Sequence, residues 1–253
     1  MKRAVLSLLR QVQAGSFVPE AGEVNFGPGQ KLPPLELPME GGGSLPLYGR
    51  IDRLDRDEKR GLFRIVDYKT GDRSFDAGEV YAGTALQLPL YTAAAARREG
   101  DVAGMYYMPL ILPVGKEGEE KNHTLRGVTS CREDALEATE RELEGKSDII
   151  EGLRIEPGKE PKGVLCSQAE FQSLLQKAVA KAGETASALM SGQAGVSPCN
   201  ENACKYCPYK SVCRFDTNIP GCRYRNPEKL TLDQLLQRIQ EESMEFSGKG
   251  GQQ

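Results

Sequence analysis

Two aspartates and a lysine carry the strongest chemical signal in this sequence. Asp52 lies in the segment 45–54, and Asp67 and Lys69 lie in the segment 62–69. Both segments are apolar and β-branched enough for strands, and the charged residues 55–61 between them predict the turn of a β-hairpin. The strand ends of a hairpin lie opposite one another, so Asp52 and Asp67 become neighbours. Lys69 shares a face with Asp67, because side chains two positions apart on a strand point the same way.

This combination of groups suits the binding of a hard divalent cation through carboxylate oxygens. The lysine ammonium would then orient a water or stabilise charge on a phosphate, which gives the hypothesis of metal-assisted phosphodiester hydrolysis. The simpler alternative is a set of solvated strand ends, since an Asp-x-Lys triplet alone has little specificity. The apolar run 63–66 favours the site, because it predicts a buried strand that ends at Asp67.

A polar pair on a predicted helix adds to this site. Length and alanine content predict one long helix over residues 79–98, with its best part at 82–96. Gln87 and Tyr91 lie at i and i+4 and therefore share one face. Pro89 between them removes a backbone donor, so we expect it to kink or loosen the helix. The pair suits contact with phosphate or a nucleobase, and the alternative is a solvated helix edge.

Three segments resemble a known enzyme family. Residues 49–52 read Gly-Arg-Ile-Asp, residues 66–71 read Val-Asp-Tyr-Lys-Thr-Gly, and residues 86–91 read Leu-Gln-Leu-Pro-Leu-Tyr. In order, spacing and flanking apolar residues they resemble motifs II and III and the downstream Gln-x-x-x-Tyr motif of the RecB-type PD-(D/E)xK nucleases. Within that branch the sequence is most similar to the carboxy-terminal nuclease domain of the B subunit of bacterial AddAB helicase-nucleases, from its start to about Asp216.

The resemblance implies a fold and a set of roles. The fold is α/β and restriction-endonuclease-like, with a mixed central sheet flanked by helices and a C-terminal cysteine-bound cap. Asp52 and Asp67, together with the main-chain carbonyl of Tyr68, would bind Mg2+ or Mn2+. Lys69 would assist catalysis, and the polar pair of the predicted helix would support the site or touch DNA.

The implied function is that of a Mg2+-dependent DNA exonuclease domain. It would belong to a helicase-nuclease that processes double-strand ends for recombinational repair, with DNA and the helicase-nuclease A subunit as partners. One alternative is a non-catalytic module that holds DNA within such a complex. Another is an iron-sulfur nuclease of CRISPR adaptation, although the long segment 133–190 before the cysteine triplet favours the helicase-associated family.

Cys204, Cys207 and Cys213 form the second strong motif, C-x2-C-x5-C. A C-x2-C spacing lets two sulfurs reach one metal, and structural zinc, an iron-sulfur cluster and disulfides remain as readings. Disulfides are the weakest of these, because seven cysteines is an odd number and no secretory signal is evident. The resemblance implies a [4Fe-4S] cluster held by this triplet and one upstream cysteine. No cysteine precedes Cys131, so the fourth ligand is either missing or Cys199.

A histidine that RecB-type nucleases place on a helix ahead of the sheet is also absent. The single histidine, His123, lies in a predicted charged loop over 116–126, so we interpret it as a surface residue and exclude it from the site. The missing histidine and cysteine together lead us to expect that the chain is a fragment of a longer protein.

A local basic patch overlaps the cysteines and is interleaved with aromatic residues. Such a patch suits phosphate contact and base stacking on single-stranded DNA, and the alternative is a metal-stapled loop with solvated charges. The predicted DNA-binding residues are Lys205, Lys210, Arg214, Arg223 and Arg225. The net charge of the 253 residues is only −3, so a contact with nucleic acid must be local.

The remaining sequence predicts organisation rather than chemistry. No apolar stretch reaches 18 residues, which predicts a cytoplasmic protein without membrane insertion. We expect a nuclease domain over 1–195, a cysteine cap over 196–229, and a helix with a disordered tail over 230–253. The other predicted elements are a helix over 4–12, a strand over 23–26, a loop over 28–43, a strand over 104–113, and helices over 133–144, 167–190 and 230–246.

Overall fold

The computed structural model describes residues 2–111 and 123–249. The helices are α1 (Lys2–Ala14), α2 (Ala77–Tyr81), α3 (Gln87–Glu99), α4 (Glu133–Thr139), α5 (Gln168–Met190), α6 (Glu201–Lys205), α7 (Lys210–Cys213) and α8 (Leu232–Lys249). The strands are β1 (Val18–Phe26), β2 (Leu35–Pro38), β3 (Ser44–Leu47), β4 (Gly49–Asp57), β5 (Leu62–Lys69), β6 (Asp101–Pro109), β7 (Arg126–Ser130), β8 (Gly145–Lys146), β9 (Arg154–Ile155) and β10 (Leu165–Cys166).

Six strands form the central sheet in the order β1-β4-β5-β6-β7-β10. The pairs β1/β4, β4/β5 and β6/β7 are antiparallel, whereas β5/β6 and β7/β10 are parallel. Helices cover both faces, which confirms the predicted α/β fold with a mixed central sheet. No helix in the described ranges combines the length and the apolar character needed to cross a bilayer.

Strand β5 is buried from Leu62 through Asp67 and forms the middle of the core. Phe63 and Ile65 pack on one face with side chains from α3, α5 and α8. Leu62 and Val66 pack on the other face, where α1 and α4 lie. Because alternate side chains of a strand point to opposite faces, a strand covered on both sides is apolar nearly throughout. Asp67 follows the alternation of Phe63 and Ile65 and therefore faces α3.

The predicted hairpin is confirmed, but its first strand is shorter than expected. Strand β4 begins at Gly49, and the preceding Ser44–Leu47 pairs instead with β2 in a separate two-stranded sheet. Strand β2 lies inside the segment 28–43, which was predicted to be loop. Proline and glycine punctuate this segment, so the local sequence favoured a loop, whereas pairing with β3 and packing of Leu35 and Leu37 in the core stabilise a strand.

The prediction of one long helix over 79–98 is wrong, because the segment folds as α2 and α3. Gly83 separates them with φ +77°, a left-handed conformation that glycine adopts without the steric cost that other residues incur. Pro89 is the third residue of α3. The first four N–H groups of a helix have no intrahelical acceptor. Pro89 lies in this first turn, so its missing N–H breaks no helical hydrogen bond and does not kink the helix.

Other element boundaries differ in detail. Helix α1 confirms the predicted helix over 4–12, and β1 contains the predicted strand over 23–26. The strand predicted over 104–113 spans Asp101–Pro109, its last two predicted residues lying outside the described ranges. The helix predicted over 133–144 ends at Thr139. Helix α8 continues to Lys249, so the predicted tail begins within it, and residues 250–253 lie outside the described ranges.

Helix α5 confirms the predicted helix over 167–190 and begins with a capping box of the Ser-x-x-Glu type at residues 167–170. The Ser167 hydroxyl accepts from the Glu170 main-chain N–H, and the Glu170 carboxylate accepts from the Ser167 N–H at 2.8 Å. Thr231 similarly accepts from the main-chain N–H of Gln234 at 3.2 Å ahead of α8. Side chains of α5 and α8 join the same core cluster as β5, so these caps fix the helices that cover the α3 side of the sheet.

A buried charge cluster lies in the same hairpin on the face opposite α3. Asp55 is 0% exposed and is paired with Arg53 at 2.6 Å and with Arg64 at 2.8 Å. Burial acts to raise the pKa of Asp55, but the charges of Arg64 and Arg53 outweigh it and hold the pKa below its usual value. Two guanidinium groups thus depend on one carboxylate for their neutralisation.

We expect Asp55→Ala to destabilise the chain by about 3–5 kcal/mol, because it leaves two buried arginines without a counter-charge. Glu58→Ala, in the exposed turn of the same hairpin, should change stability by less than about 0.5 kcal/mol. Urea denaturation of both variants measures the difference. The folded state lowers the pKa of Asp55, so its contribution is present at neutral pH and should be lost in acid. Equal stability of the two variants would contradict this account.

Candidate active site

The register of β4 and β5 brings Asp52 beside Asp67. Arg53 lies opposite Val66, and the same register continued by one residue sets Asp52 level with Asp67. Asp52 Oδ2 accepts a hydrogen bond of 2.9 Å from the main-chain N–H of Tyr68, which holds this carboxylate against β5. The two carboxylates therefore meet at the end of the hairpin that is remote from its turn.

Asp67 is the most unusual group of the site. It is 1% exposed, and Lys69 Nζ lies 2.6 Å from its Oδ2. Among the described residues, Oδ1 has no hydrogen-bond donor, and the Lys69 ammonium is the one partner of Oδ2. Burial raises the pKa of Asp67; the hydrogen bond and the charge of Lys69 oppose this shift, and the charge of Asp52 adds to it. A buried carboxylate with one oxygen left without a donor is costly unless a further cation binds there, and carboxylate oxygens fit a hard metal ion.

Lys69 connects the carboxylate to α3. Its Nζ donates to Gln87 Oε1 at 2.7 Å, and Gln87 Nε2 donates to the Tyr91 hydroxyl at 3.1 Å. The start of α3 thus places Gln87 over the end of β5, and the i, i+4 spacing places Tyr91 next to it. The structure brings together the five residues that the sequence selected, and their catalytic roles stay predictions.

Gly49 and Phe26 support this arrangement, and sequence reasoning did not select them for a role. The Phe26 ring meets the Tyr91 ring edge-on with 5.9 Å between centroids. A Cβ atom at Gly49 would lie 2.5 Å from the Phe26 ring, so the close approach of these elements requires glycine there. Gly49 belongs to the motif 49–52, but the sequence does not show that it packs against Phe26.

A second group of residues lies on the other side of Asp67. Tyr107 is opposite Asp67 in the parallel register of β5 and β6, and Lys69 Nζ lies 5.4 Å from its ring centroid. Burial raises the pKa of Tyr107, Arg73 opposes the shift, and Asp67 adds to it. Arg73 is ion-paired with Glu79 at 2.6 Å. Only the strand register reveals this group, because no spacing in the sequence connects residues 67, 73 and 107.

Two side-chain carboxylates, Asp52 and Asp67, could hold a metal ion at this site. Within ranges 2–111 and 123–249, no group of three or more His, Cys, Asp or Glu side chains is arranged to hold an ion. A Mg2+ ion commonly completes its six ligands with waters and phosphate oxygens, so two carboxylates are a usable set. The Tyr68 carbonyl as a further ligand, and the choice between Mg2+ and Mn2+, stay predictions.

The cysteines lie in the exposed segment that contains α6 and α7. Cys204 and Cys207 share one turn, because the Cys207 N–H donates to the Cys204 carbonyl at 3.3 Å. Cys213 ends α7, and the Cys199 carbonyl accepts from the Asn226 N–H at 2.8 Å where the chain returns past it. All four have free thiols, and the structure does not gather three of them into a ligand group. The cluster and the cap therefore stay predictions.

The five predicted DNA-binding residues lie in the same exposed segment. Two of the interleaved aromatic residues, Tyr206 and Tyr209, are 82% and 71% exposed and leave their rings open to a ligand. The other two, Phe215 and Tyr224, pack against each other with centroids 5.1 Å apart. Stacking on a base would therefore fall to Tyr206 and Tyr209.

The interpretation of His123 as a surface residue is wrong. Its side chain is buried, with Nδ1 2.7 Å from the carbonyl of Pro109, and its own carbonyl accepts from the Ser7 hydroxyl at 2.6 Å. The charged neighbours in sequence predicted exposure, but α1 covers this end of β6. His123 contacts none of the five residues around Asp67 in any described hydrogen bond.

A family match covers most of this chain. A model of the PD-(D/E)XK nuclease superfamily matches residues 1–214. This chain belongs to that superfamily. Its mixed sheet, with the acidic hairpin next to a parallel strand pair, agrees with the restriction-endonuclease-like fold that the motifs implied.

Several bacterial proteins named as the B subunit of an ATP-dependent helicase/deoxyribonuclease are similar to this chain. The protein from Moorella thermoacetica is 36% identical over 249 residues, covering 89% of this chain and 22% of the relative. The proteins from Caldanaerobacter subterraneus subsp. tengcongensis and Desulforudis audaxviator are 31% and 33% identical, covering 98% and 87% of this chain. The chain spans 23% and 21% of those two relatives, less than a quarter of their length.

The raised pKa of Asp67 predicts a pH-dependent cost in stability when no metal is bound. The folded state binds this proton more tightly than the unfolded state, so stability falls as pH rises from 3.8 through the raised pKa. Asparagine at position 67 does not ionise, so the stability of Asp67→Asn should not fall in this way as pH rises. In EDTA, we expect its melting temperature to exceed that of wild type at neutral pH, by about 2–4 °C for each kcal/mol, and to converge with it in acid.

Circular dichroism melts between about pH 4 and pH 8 measure this difference. Asp76→Asn is the matched control, because Asp76 is an exposed helix cap and asparagine caps equally well. A lower melting temperature of Asp67→Asn across the whole range would show that the Lys69 contact outweighs the cost of burial.

Proposed function

We propose that this chain is the nuclease domain of a bacterial AddAB-type helicase-nuclease and that it acts as a Mg2+-dependent DNA exonuclease. Its substrate would be single-stranded DNA or duplex ends, and its partner the helicase-nuclease A subunit. Processing of double-strand ends for recombinational repair would place it in the cytoplasm. The proposal is carried by the Asp67 carboxylate, which is buried between Asp52 and Lys69 and whose Oδ1 has no hydrogen-bond donor among the described residues. Superfamily membership and the names of the relatives support it.

Asp52 and Asp67 would hold the cation. A cation in that position polarises the scissile phosphate and lowers the pKa of a bound water. The burial that raises the pKa of Asp67 also strengthens its attraction for a cation, because little water competes for the charge. The hydrogen bond from the Tyr68 N–H orients the Asp52 carboxylate before a cation arrives.

Lys69 supplies the positively charged hydrogen-bond donor of the site. Its ammonium is held between the Asp67 carboxylate and the Gln87 amide, so its position is fixed before substrate arrives. An ammonium has three N–H donors, and 29% of this side chain is exposed. It can therefore orient the attacking water or donate to the phosphate oxygens as their charge increases. Gln87 and Tyr91 act as positioning residues, because Gln87 accepts from the lysine and Tyr91 holds the Gln87 amide.

The hydrolysis step uses water as the nucleophile, and its atoms and protons balance with solvent. The oxygen of water forms a bond to phosphorus as the bond from phosphorus to the leaving sugar oxygen breaks. The water proton passes to solvent, and the leaving oxygen takes a proton in return. In this scheme Lys69 stabilises charge and is not consumed.

The test is cleavage of end-labelled linear single-stranded DNA with Mg2+. We expect wild type to cut, and Asp67→Ala and Lys69→Ala to lose about 100-fold or more in rate, because each removes several kcal/mol of charge stabilisation. Lys59→Ala is the matched control for the lysine, since Lys59 is exposed in the hairpin turn. A circular single strand of the same sequence should resist the wild-type enzyme if it works from ends.

Two results would count against the proposal. Cleavage by Asp67→Ala at the wild-type rate would remove the site from the reaction. A wild type that binds the strand but does not cut it, with Mg2+ or Mn2+, would favour the non-catalytic DNA-holding module. Cutting of the circular strand would keep the nuclease and remove the exonuclease assignment.

The cysteine segment extends the proposal to a cofactor. We propose a [4Fe-4S] cluster on Cys204, Cys207 and Cys213, with Cys199 as the fourth ligand and zinc as the alternative. The spacing and the partly exposed thiols support it. The exposed basic and aromatic residues around the thiols, including Tyr206 and Tyr209, would then form a surface for single-stranded DNA.

Metal analysis of chain purified without oxygen tests the cofactor. We expect iron and acid-labile sulfide with wild type, and their loss in Cys207→Ser. Cys131→Ser should keep them, because Cys131 is an exposed cysteine outside the motif. Zinc in place of iron would select the alternative, and a metal content unchanged by Cys207→Ser would refute both readings.

A further inference from the structure

We propose that Arg73 binds a backbone phosphate of DNA next to the site of cleavage, with Tyr107 and Glu79 as its positioning residues. The inference rests on the proposed nuclease function and adds a substrate-binding residue to it. Arg73 lies in the loop after β5, four positions beyond Lys69. It belongs to none of the motif segments that the sequence analysis selected.

Tyr107 fixes the place of Arg73 relative to the carboxylates. The ring lies opposite Asp67 in the register of β5 and β6 and is 4% exposed. Lys69 Nζ lies 5.4 Å from the ring centroid, and Arg73 Cζ lies 5.8 Å from the same centroid. The Lys69 ammonium and the Arg73 guanidinium thus lie near the same Tyr107 ring, which belongs to strand β6, and cation–π attraction favours this arrangement. The Tyr107 side chain therefore lies between Arg73 and the residues Asp67 and Lys69, which would act on the phosphate.

Glu79 fixes the orientation of Arg73. The Arg73 Nη2 atom lies 2.6 Å from Glu79 Oε2. Glu79 is itself held by helix α2, because its main-chain N–H donates to the Asp76 carboxylate at 2.8 Å. A guanidinium has five N–H donors, and 41% of this side chain is exposed, so donors remain for a ligand from solvent. The planar fork of these donors matches the oxygens of a phosphate.

The charges around the site explain why such a residue is needed. A DNA strand that reaches Asp67 brings negative phosphates toward a negative carboxylate, and Lys69 is already paired with that carboxylate. Arg126 on the adjoining β7 is 11% exposed and is paired with two carboxylates. Arg73 combines proximity, exposure and one described carboxylate partner, Glu79. It is therefore well placed to attract the strand.

DNA binding without cleavage tests the proposal directly. The probe is a fluorescein-labelled oligothymidylate, and the Asp67→Asn background prevents cutting. We expect Arg73→Gln to weaken binding about 5–10-fold and to reduce the slope of log affinity against log salt by about 0.7, the value for one phosphate contact on a single strand. Arg98→Gln is the matched control. Arg98 is exposed at the far end of α3, about 16 Å from Gln87 along the helix, and should change neither quantity.

Glu79→Gln separates binding from a structural role. Glutamine keeps an oxygen that accepts from Arg73 and so retains its orientation. If Arg73 binds phosphate, removal of the competing negative charge should therefore leave affinity for the oligonucleotide equal or higher. If the Arg73–Glu79 pair only shapes the loop, Glu79→Gln should weaken binding as much as Arg73→Gln does. Arg73→Lys keeps the charge but loses the fork, so we expect an intermediate affinity and a salt slope close to that of the parent.

In the cleaving protein, Arg73→Gln should raise KM by a similar factor with a smaller change in kcat. Unchanged affinity and salt slope in Arg73→Gln, or equal weakening by Glu79→Gln, would overturn the proposal. Thermal melts of each variant exclude unfolding as the cause. The binding assay needs no catalysis, so a chain that binds DNA through Arg73 but does not cut it would refute the proposed function while leaving this inference in place.

Discussion

The charge of Asp67 lies where water cannot solvate it, at the end of a strand that is covered on both faces. This cost determines what surrounds it. Strand β4 supplies Asp52, strand β6 supplies Tyr107, and the start of α3 supplies Gln87 to hold Lys69 in place. Each neighbour comes from an element that packs directly on β5. The elements that carry the site therefore hold its members in place through their packing in the core, and a cation would relieve the charge of Asp67, whose Oδ1 has no hydrogen-bond donor among the described residues.

One hairpin carries buried carboxylates in two different states. Asp55 is neutralised by two arginines, and its pKa is lowered. Asp67 has a single lysine partner and the charge of Asp52 nearby, and its pKa is raised. The first arrangement is satisfied by the protein itself and stabilises the fold. The second is incomplete without a ligand, which is how a functional site is expected to differ from a structural ion pair.

Local sequence predicted elements well where packing and propensity agree. The hairpin, the capping box of α5 and helix α1 all follow from patterns that extend over only a few residues. Prediction failed where distant contacts outweigh local preference. Strand β2 forms in a proline- and glycine-rich segment because β3 pairs with it, and His123 is buried among charged sequence neighbours because α1 covers it. Gly83 was a visible signal for a break between two helices, but the alanine-rich sequence around it favoured the prediction of one helix.

The sequence by itself determined which residue types are available to the site: two aspartates and a lysine on paired strands, a Gln-x-x-x-Tyr face on a helix, and three closely spaced thiols. Alternation along strands and the helical repeat were enough to put the first two sets on common faces. Only the tertiary structure decided that these faces meet, that Asp67 is buried with Lys69 as its partner, and that Tyr107 lies between Asp67 and Arg73. The physical reason is that burial and strand register depend on residues far apart in the chain, and a local pattern contains no information about either.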